Sequence, residues 1–250
     1  MLTVIIDLYY LAKKQLNFNN DSFHTIPVGI HYSQPKINQR GKIAITYLNH
    51  PQIENRVMAV YELEQLARDY PQNHGKIMEV LTAFVRNNHL DIFQGDDYAN
   101  PSALIRPDIQ AALNVIARRD IKKDQENPQL DLSYTDIRGA NLHKANLELA
   151  NLYQVNLSKA NLSGANLCGV ILTAANLSGA NLRGANLSGA ILSAANLSGA
   201  NLSETNLSRA NLYLANLHGA VLDSTILNGA NLREAKLSGS DTKGVKMDDV

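Results

Sequence analysis

The sequence predicts an α+β chain in two parts: an all-helical N-terminal domain over residues 1–125, then a four-sided parallel β-solenoid of about six coils over residues 130–249. Two observations carry this. The first half places apolar residues at helical spacing, and the second repeats a five-residue unit, as in "ANLRGANLSGAILSAANLSG" from Ala180 to Gly199. A third bounds the class: no apolar run approaches the roughly 18 residues that a membrane span needs.

Taken in order, "LTVIIDLYYLAKKQL" from Leu2 is read as a helix by its length and its lysines. It contains Asp7 and lacks a cleavage-site pattern, so it does not read as a signal peptide and the chain is expected to be cytoplasmic. "NFNNDSFHTIPVGIHYSQPKINQRG", Asn17 to Gly41, reads as a long loop or extended segment. "RVMAVYELEQLARDY" follows Pro51 and sets Val57, Val60, Tyr61, Leu63, Leu66 and Ala67 on one helix face. Tyr70-Pro71 breaks the chain, and "KIMEVLTAFVRNN" supplies Ile77, Val80, Leu81, Phe84 and Val85 to the next helix. A last helix starts near Pro107 and ends at Arg118 and Arg119, where cations favour the C-terminal dipole.

From Leu132 to Met247 every fifth residue is the centre of a repeat, twenty-four in all without a slip of register, most of them leucine. A period of five suits neither common element: on a helix it advances about 140°, and on a straight strand it alternates faces. Each unit must therefore be a short extended side followed by a corner, and four sides close a coil of twenty. The central leucine and the small residue two places earlier point inward. Asn before the centre, as in Asn141, Asn146 and Asn151, suits tight backbone and amide ladders between coils. Gly at the last place, as in Gly164, Gly179 and Gly199, suits a corner with positive φ.

The run "ANLHKANLELANLYQVNLSKANLSGANL" resembles the pentapeptide-repeat family. The resemblance implies a right-handed quadrilateral β-helix and a non-enzymatic role in which an outer surface is presented to a partner; some relatives mimic DNA and bind gyrase. "RVMAVYELEQLARDYPQNHGKIMEVLTAFVR" followed by "DIQAALNVIARR" is similar to a helical lead-in found before cyanobacterial repeats of this kind, where membrane helices often precede it. The job inferred for these helices is capping the apolar cross-section and open edge of the first coil.

Charge separates the candidate functions. Residues 130–250 hold nine acids and nine bases, so the solenoid is neutral, whereas a DNA mimic must imitate about one phosphate charge per 1.7 Å of duplex axis. A neutral surface serves equally poorly as a nucleic-acid groove. The alternative of a DNA-mimic regulator of gyrase or a similar enzyme is thus disfavoured, and a protein partner is expected rather than nucleic acid or membrane.

Positions twenty apart share a face. On the face centred on Leu132, Leu152, Leu172, Leu192, Leu212 and Leu232, Ile171 and Ile191 stand where Asn is the rule, joined by Tyr134, Tyr153, Tyr213 and Leu214. These six residues are the candidate partner-binding face, to be covered by a protein partner, a second copy, or residues 17–38 of the same chain. Its corner carries no Gly, which predicts a second corner type that avoids positive φ. At the far end Thr242 replaces the central leucine; either the last coil is irregular, or it is regular and its open end invites end-to-end dimerisation.

No catalytic, cofactor-binding or metal site is expected. His74, Glu79, His89, Asp91, Asp96 and Asp97 are the one concentration of acids and histidines; a hydrolase there would need a pocket holding His74 or His89, and solvated loop charge explains them more simply. A rod filled with leucine and alanine offers no concavity. The single cysteine, Cys168, excludes an internal disulfide and reads as an outward-facing bystander.

Overall fold

The computed structural model describes residues 34–88, 105–120 and 129–247. Among the described residues, four helices precede the repeats: α1 (Gln34–Tyr47), α2 (Ile53–Asp69), α3 (His74–Asn88) and α4 (Pro107–Ala117). A 3-10 turn at Pro71–Asn73 joins α2 to α3, where Pro71 ends the longer helix as expected. Residues 34–41 are therefore helical, not extended. Pro35 falls in the first turn of α1, where its missing N–H costs nothing, and Gly41, which reads as a loop residue, is buried in the helix interior. The helix expected at residues 2–16 lies outside the described residues.

The helices pack through the residues their spacing singles out. Val60, Leu63, Leu66 and Ala67 of α2, Ile77, Val80, Leu81, Phe84 and Val85 of α3, and Ile109, Leu113 and Ile116 of α4 share one core with the solenoid leucines. Tyr61 is the exception, exposed rather than turned to the core. In the first turn of α4, Asp108 is fully buried and takes hydrogen bonds from Arg56 Nε at 2.5 Å and Arg106 Nη2 at 2.5 Å. Burial alone raises its pKa, but the bonds from the two guanidinium groups together outweigh that and hold its carboxyl below the usual value.

From residue 131 onward the backbone follows the five-residue rhythm. Parallel bridges one residue wide link positions twenty apart, from Asp131↔Asn151 to Ile226↔Lys246. Each central N–H donates to the next turn, as Leu172 to Ile191 O at 2.8 Å, and each N–H before the centre donates back, as Ile171 to Ala150 O at 3.0 Å. Inside, central leucines and the alanines two places earlier are buried through most of the repeat. Each buried leucine contributes roughly 1.5–3 kcal/mol, enough in a column to offset the ordering of the chain. Asn side chains do two jobs. Oδ1 accepts the N–H two residues on, as Asn176 from Ser178 at 3.1 Å, and Nδ2 donates to the Asn below, as Asn216 to Asn196 at 3.2 Å.

The corners correct the expectation of two types. Every corner from residue 134 to residue 244 has positive φ, eleven of them glycine and twelve not. The column without glycine is no exception: Tyr134, Gln154, Ala174, Ala194, Leu214 and Glu234 lie between 52° and 60°. Closure of the turn, not residue identity, sets this dihedral, so a side chain there is tolerated at a cost of about 1–2 kcal/mol.

The first turn's edge is bonded to the helices. Gln110 of α4 acts like a peptide group: its Oε1 accepts Asn141 N–H at 2.9 Å and its Nε2 donates to Asn141 O at 2.9 Å. Ala117 O accepts Asn146 N–H at 2.8 Å, and Arg119 donates to Asn146 O at 3.1 Å and to Glu148 O. Arg86 pairs with Asp131. At the other end the repeat remains regular through Lys246 despite Thr242, and Leu237 and Met247 are exposed there.

Candidate interaction face

The six residues singled out in the sequence lie on one wall. Asn151, Ile171, Ile191 and Asn211 bridge in succession, so the two isoleucines stack on the outside above the buried pair Leu172 and Leu192. Tyr134 is 63% exposed, Ile191 40%, Tyr213 36% and Leu214 46%; Tyr153 and Ile171 are half-buried. Tyr134 and Tyr153 meet edge to face, their centroids 5.3 Å apart and their planes at 73°. Gln154 Nε2 donates to the Tyr153 hydroxyl at 3.2 Å, and the Tyr213 hydroxyl donates to Glu234 at 3.3 Å. Between the tyrosines the wall carries Thr173, Ala174, Ser193 and Ala194, all short.

Residues 1–33, which include most of the segment considered as a cover for this wall, lie outside the described residues. On the solenoid walls, two further exposed apolar residues escaped the sequence reading. Leu149, 50% exposed at a corner, leans over Gly169, and Val221 replaces Asn on the face centred on Leu222. Sorting every column by twenty would have found both.

The acid and histidine group does not assemble among the described residues. His74 is buried at the start of α3, where its Nε2 accepts Asp120 N–H at 3.4 Å. Burial pushes the Glu79 carboxyl up against the opposing effect of Lys76, and its Oε2 is buried without a hydrogen-bond partner among the described residues. His89, Asp91, Asp96 and Asp97 lie outside them. Among the described residues no group of three or more metal-ligating side chains comes together. Cys168 is half-buried on the outer wall, its sulfur taking a hydrogen bond from Ser188 at 3.4 Å. No described helix is long and apolar enough to cross a membrane.

A family model described as pentapeptide repeats matches residues 150–189, 190–229 and 215–250, in eight copies. Among solved structures, the chain is 34% identical to Rfr23, a pentapeptide repeat protein of the cyanobacterium Cyanothece 51142, over 45% of this chain and 88% of that one, with a TM-score of 0.34. It is 29% identical to alr5209, a pentapeptide repeat protein of Nostoc PCC 7120, over 48% and 85%, with a TM-score of 0.35. It is 30% identical to HetL of the same Nostoc strain, a pentapeptide repeat protein involved in heterocyst differentiation regulation, over 48% and 77%, with a TM-score of 0.19. No curated protein sequence matches it.

Proposed function

Because the chain belongs to the pentapeptide-repeat family, we propose that it is a non-catalytic scaffold or regulator that binds a protein partner through the wall of Tyr134, Tyr153, Ile171, Ile191, Tyr213 and Leu214. One observation carries the reading. This wall ends in the one corner column without glycine, and there the chain keeps apolar side chains at positive φ, four of the six positions being Tyr, Ala, Ala and Leu. Strain retained where glycine would relieve it points to a use for the side chains. Large rigid groups on an exposed wall are the usual anchors of protein contacts.

In the same reading, residues 1–125 form a helical domain that caps a β-helix of about six turns at residues 130–249, and the protein works in the cytoplasm. The bonds from Gln110, Ala117 and Arg119 to the first turn support the capping role. DNA mimicry toward gyrase is not favoured, since the charges from residue 130 onward balance. No inhibition of supercoiling by the purified protein is expected.

The test is the double variant Ile171→Asn/Ile191→Asn. Asn151 and Asn211 already occupy that column, so the fold should survive. Loss of a partner captured by the parent chain from native lysate, or a change of oligomeric state on gel filtration, supports the proposal. Identical capture and identical elution reject it.

A further inference from the structure

We propose that this wall holds a carboxylate-binding site, built on the Thr173 and Ser193 N–H groups, that takes an Asp or Glu side chain of the partner protein; the inference rests on the wall being the interaction surface. It starts from what the two isoleucines leave out. Elsewhere in the column an Asn before the centre accepts the N–H two residues on, as Asn151 from Tyr153 at 3.1 Å and Asn211 from Tyr213 at 3.1 Å. Ile171 and Ile191 have no such oxygen. Among the described residues neither Thr173 N–H nor Ser193 N–H makes a hydrogen bond, and neither do the two hydroxyls.

The two released amides stack. Ile171 and Ile191 bridge in adjacent turns, which sets Thr173 N–H and Ser193 N–H about 4.8 Å apart along the axis. Val221, Ile226 and Lys236 also stand in place of Asn, but each in a different column and each alone. Because the paired form of this amide meets a side chain on the outer wall, the released form faces outward beside the isoleucine. Both residues are half-buried. Water can serve these donors while the wall is bare. A partner that covers Ile171 and Ile191 expels that water, and a buried N–H without an acceptor is costly. The partner must therefore bring an acceptor to this point, and a wholly apolar surface is rejected.

Donor chemistry selects a carboxylate. Its two oxygens both accept, so one group can serve both amides, with the Thr173 and Ser193 hydroxyls as further donors. An Asn or Gln amide offers a single accepting oxygen, and its NH2 would turn donors toward the second amide. The border of the wall agrees in charge: Arg209, exposed at the corner, makes no ion pair among the described residues. A second copy pressed wall to wall supplies the group poorly. The described carboxylates of this wall and its corners are Asp131, paired with Arg86, and Glu234, which accepts the Tyr213 hydroxyl.

The test uses the full chain labelled with 15N and two probes that share one apolar tail, hexanoate and hexanamide. In amide-shift titrations the Thr173 and Ser193 signals should move together, and hexanoate should bind at least about tenfold more tightly than hexanamide. Ser178 and Ser198, whose N–H groups are held by Asn176 and Asn196, should not respond. Ile171→Asn/Ile191→Asn gives both amides an internal acceptor, so the preference for hexanoate should fall to about one; Ile171→Val/Ile191→Val should keep it. Equal binding of the two probes, no binding of either, or a preference that survives the Asn variant overturns the site. If the two signals move on dilution of the protein alone, or if Asp7→Asn/Asp21→Asn shifts them without a probe, the carboxylate belongs to a second copy or to this chain and the partner assignment falls. If the site falls while Ile171→Asn/Ile191→Asn still alters capture or oligomeric state, the face reading stands; if that variant is also silent, both fall.

Discussion

Exchanging side chains between two corner columns measures the strain on which the functional reading depends. Ala194 and Gly199 are successive corners of one turn, at φ 57° and 64°. A β-carbon in this conformation costs about 1–2 kcal/mol, and glycine gives back about 0.5–1 kcal/mol through the freedom it loses on folding. Ala194→Gly should therefore stabilise the chain by about 0.5–1 kcal/mol, and Gly199→Ala should destabilise it by about the same. Space does not confuse the second change, because a β-carbon at Gly199 meets nothing within 4 Å. In urea the midpoints should move in opposite directions at unchanged slope, with thermal midpoints moving about 1–4 °C. The pair Ala174→Gly/Ala194→Gly should add, since neither corner holds the other in place. A stabilised variant that binds its partner less well would link strain to use. Destabilisation by Ala194→Gly, or a neutral Gly199→Ala, would mean that these corners are relaxed and would remove the main support for the proposed face.

Other perturbations probe the helical half and the core. Asp108→Ala leaves Arg56 and Arg106 facing each other without their carboxylate and should cost about 3–5 kcal/mol, read by chemical denaturation. The Asp108 carboxyl sits below its ordinary value of 3.8 when folded, so its contribution is present above about pH 4 and is lost as pH falls through the lower folded value; the variant should lack that acid-limb loss. Gln110→Leu removes both bonds to the exposed Asn141 backbone, which water partly replaces, and should cost about 1–2 kcal/mol with faster hydrogen exchange at the Asn141 amide. Thr205→Val keeps the shape of a fully buried residue but removes its 2.8 Å bond to Leu182 O, and should lower stability by about 1 kcal/mol in the same denaturation assay.

What could be read ahead of the coordinates follows the physics of each position. Leu172, Leu192 and the alanines beside them were legible because burial is decided by spacing, and the spacing never slips. Asn176 and Asn196 were legible for the same reason, since a ladder needs only identical neighbours in register. The corners were misread at Ala174 and Ala194 because a dihedral was inferred from the residue that holds it, when ring closure imposes it. Gly41 misled in the opposite direction: packing against the helical core overrode its weak propensity. Tyr61 was misassigned: it stands two residues from Leu63, about 200° round the helix, so it falls on the side opposite the buried face of Val60, Leu63, Leu66 and Ala67. The bonds from Gln110 and Arg119 to the first turn span about thirty residues of sequence and leave no local sign.

Because bridges join residues twenty apart without interruption, a residue's wall is fixed by its place in the count and not by what surrounds it. Excising one five-residue unit between Ile191 and Tyr213 would swing everything downstream by a quarter turn, carrying Tyr213 around the edge and away from Tyr153. Excising a full turn would leave every column aligned and simply bring the two tyrosines one storey closer. Chain length here works as an address: insertions can retune the distance between contact groups without touching a single one of them, but only in steps of a complete circuit.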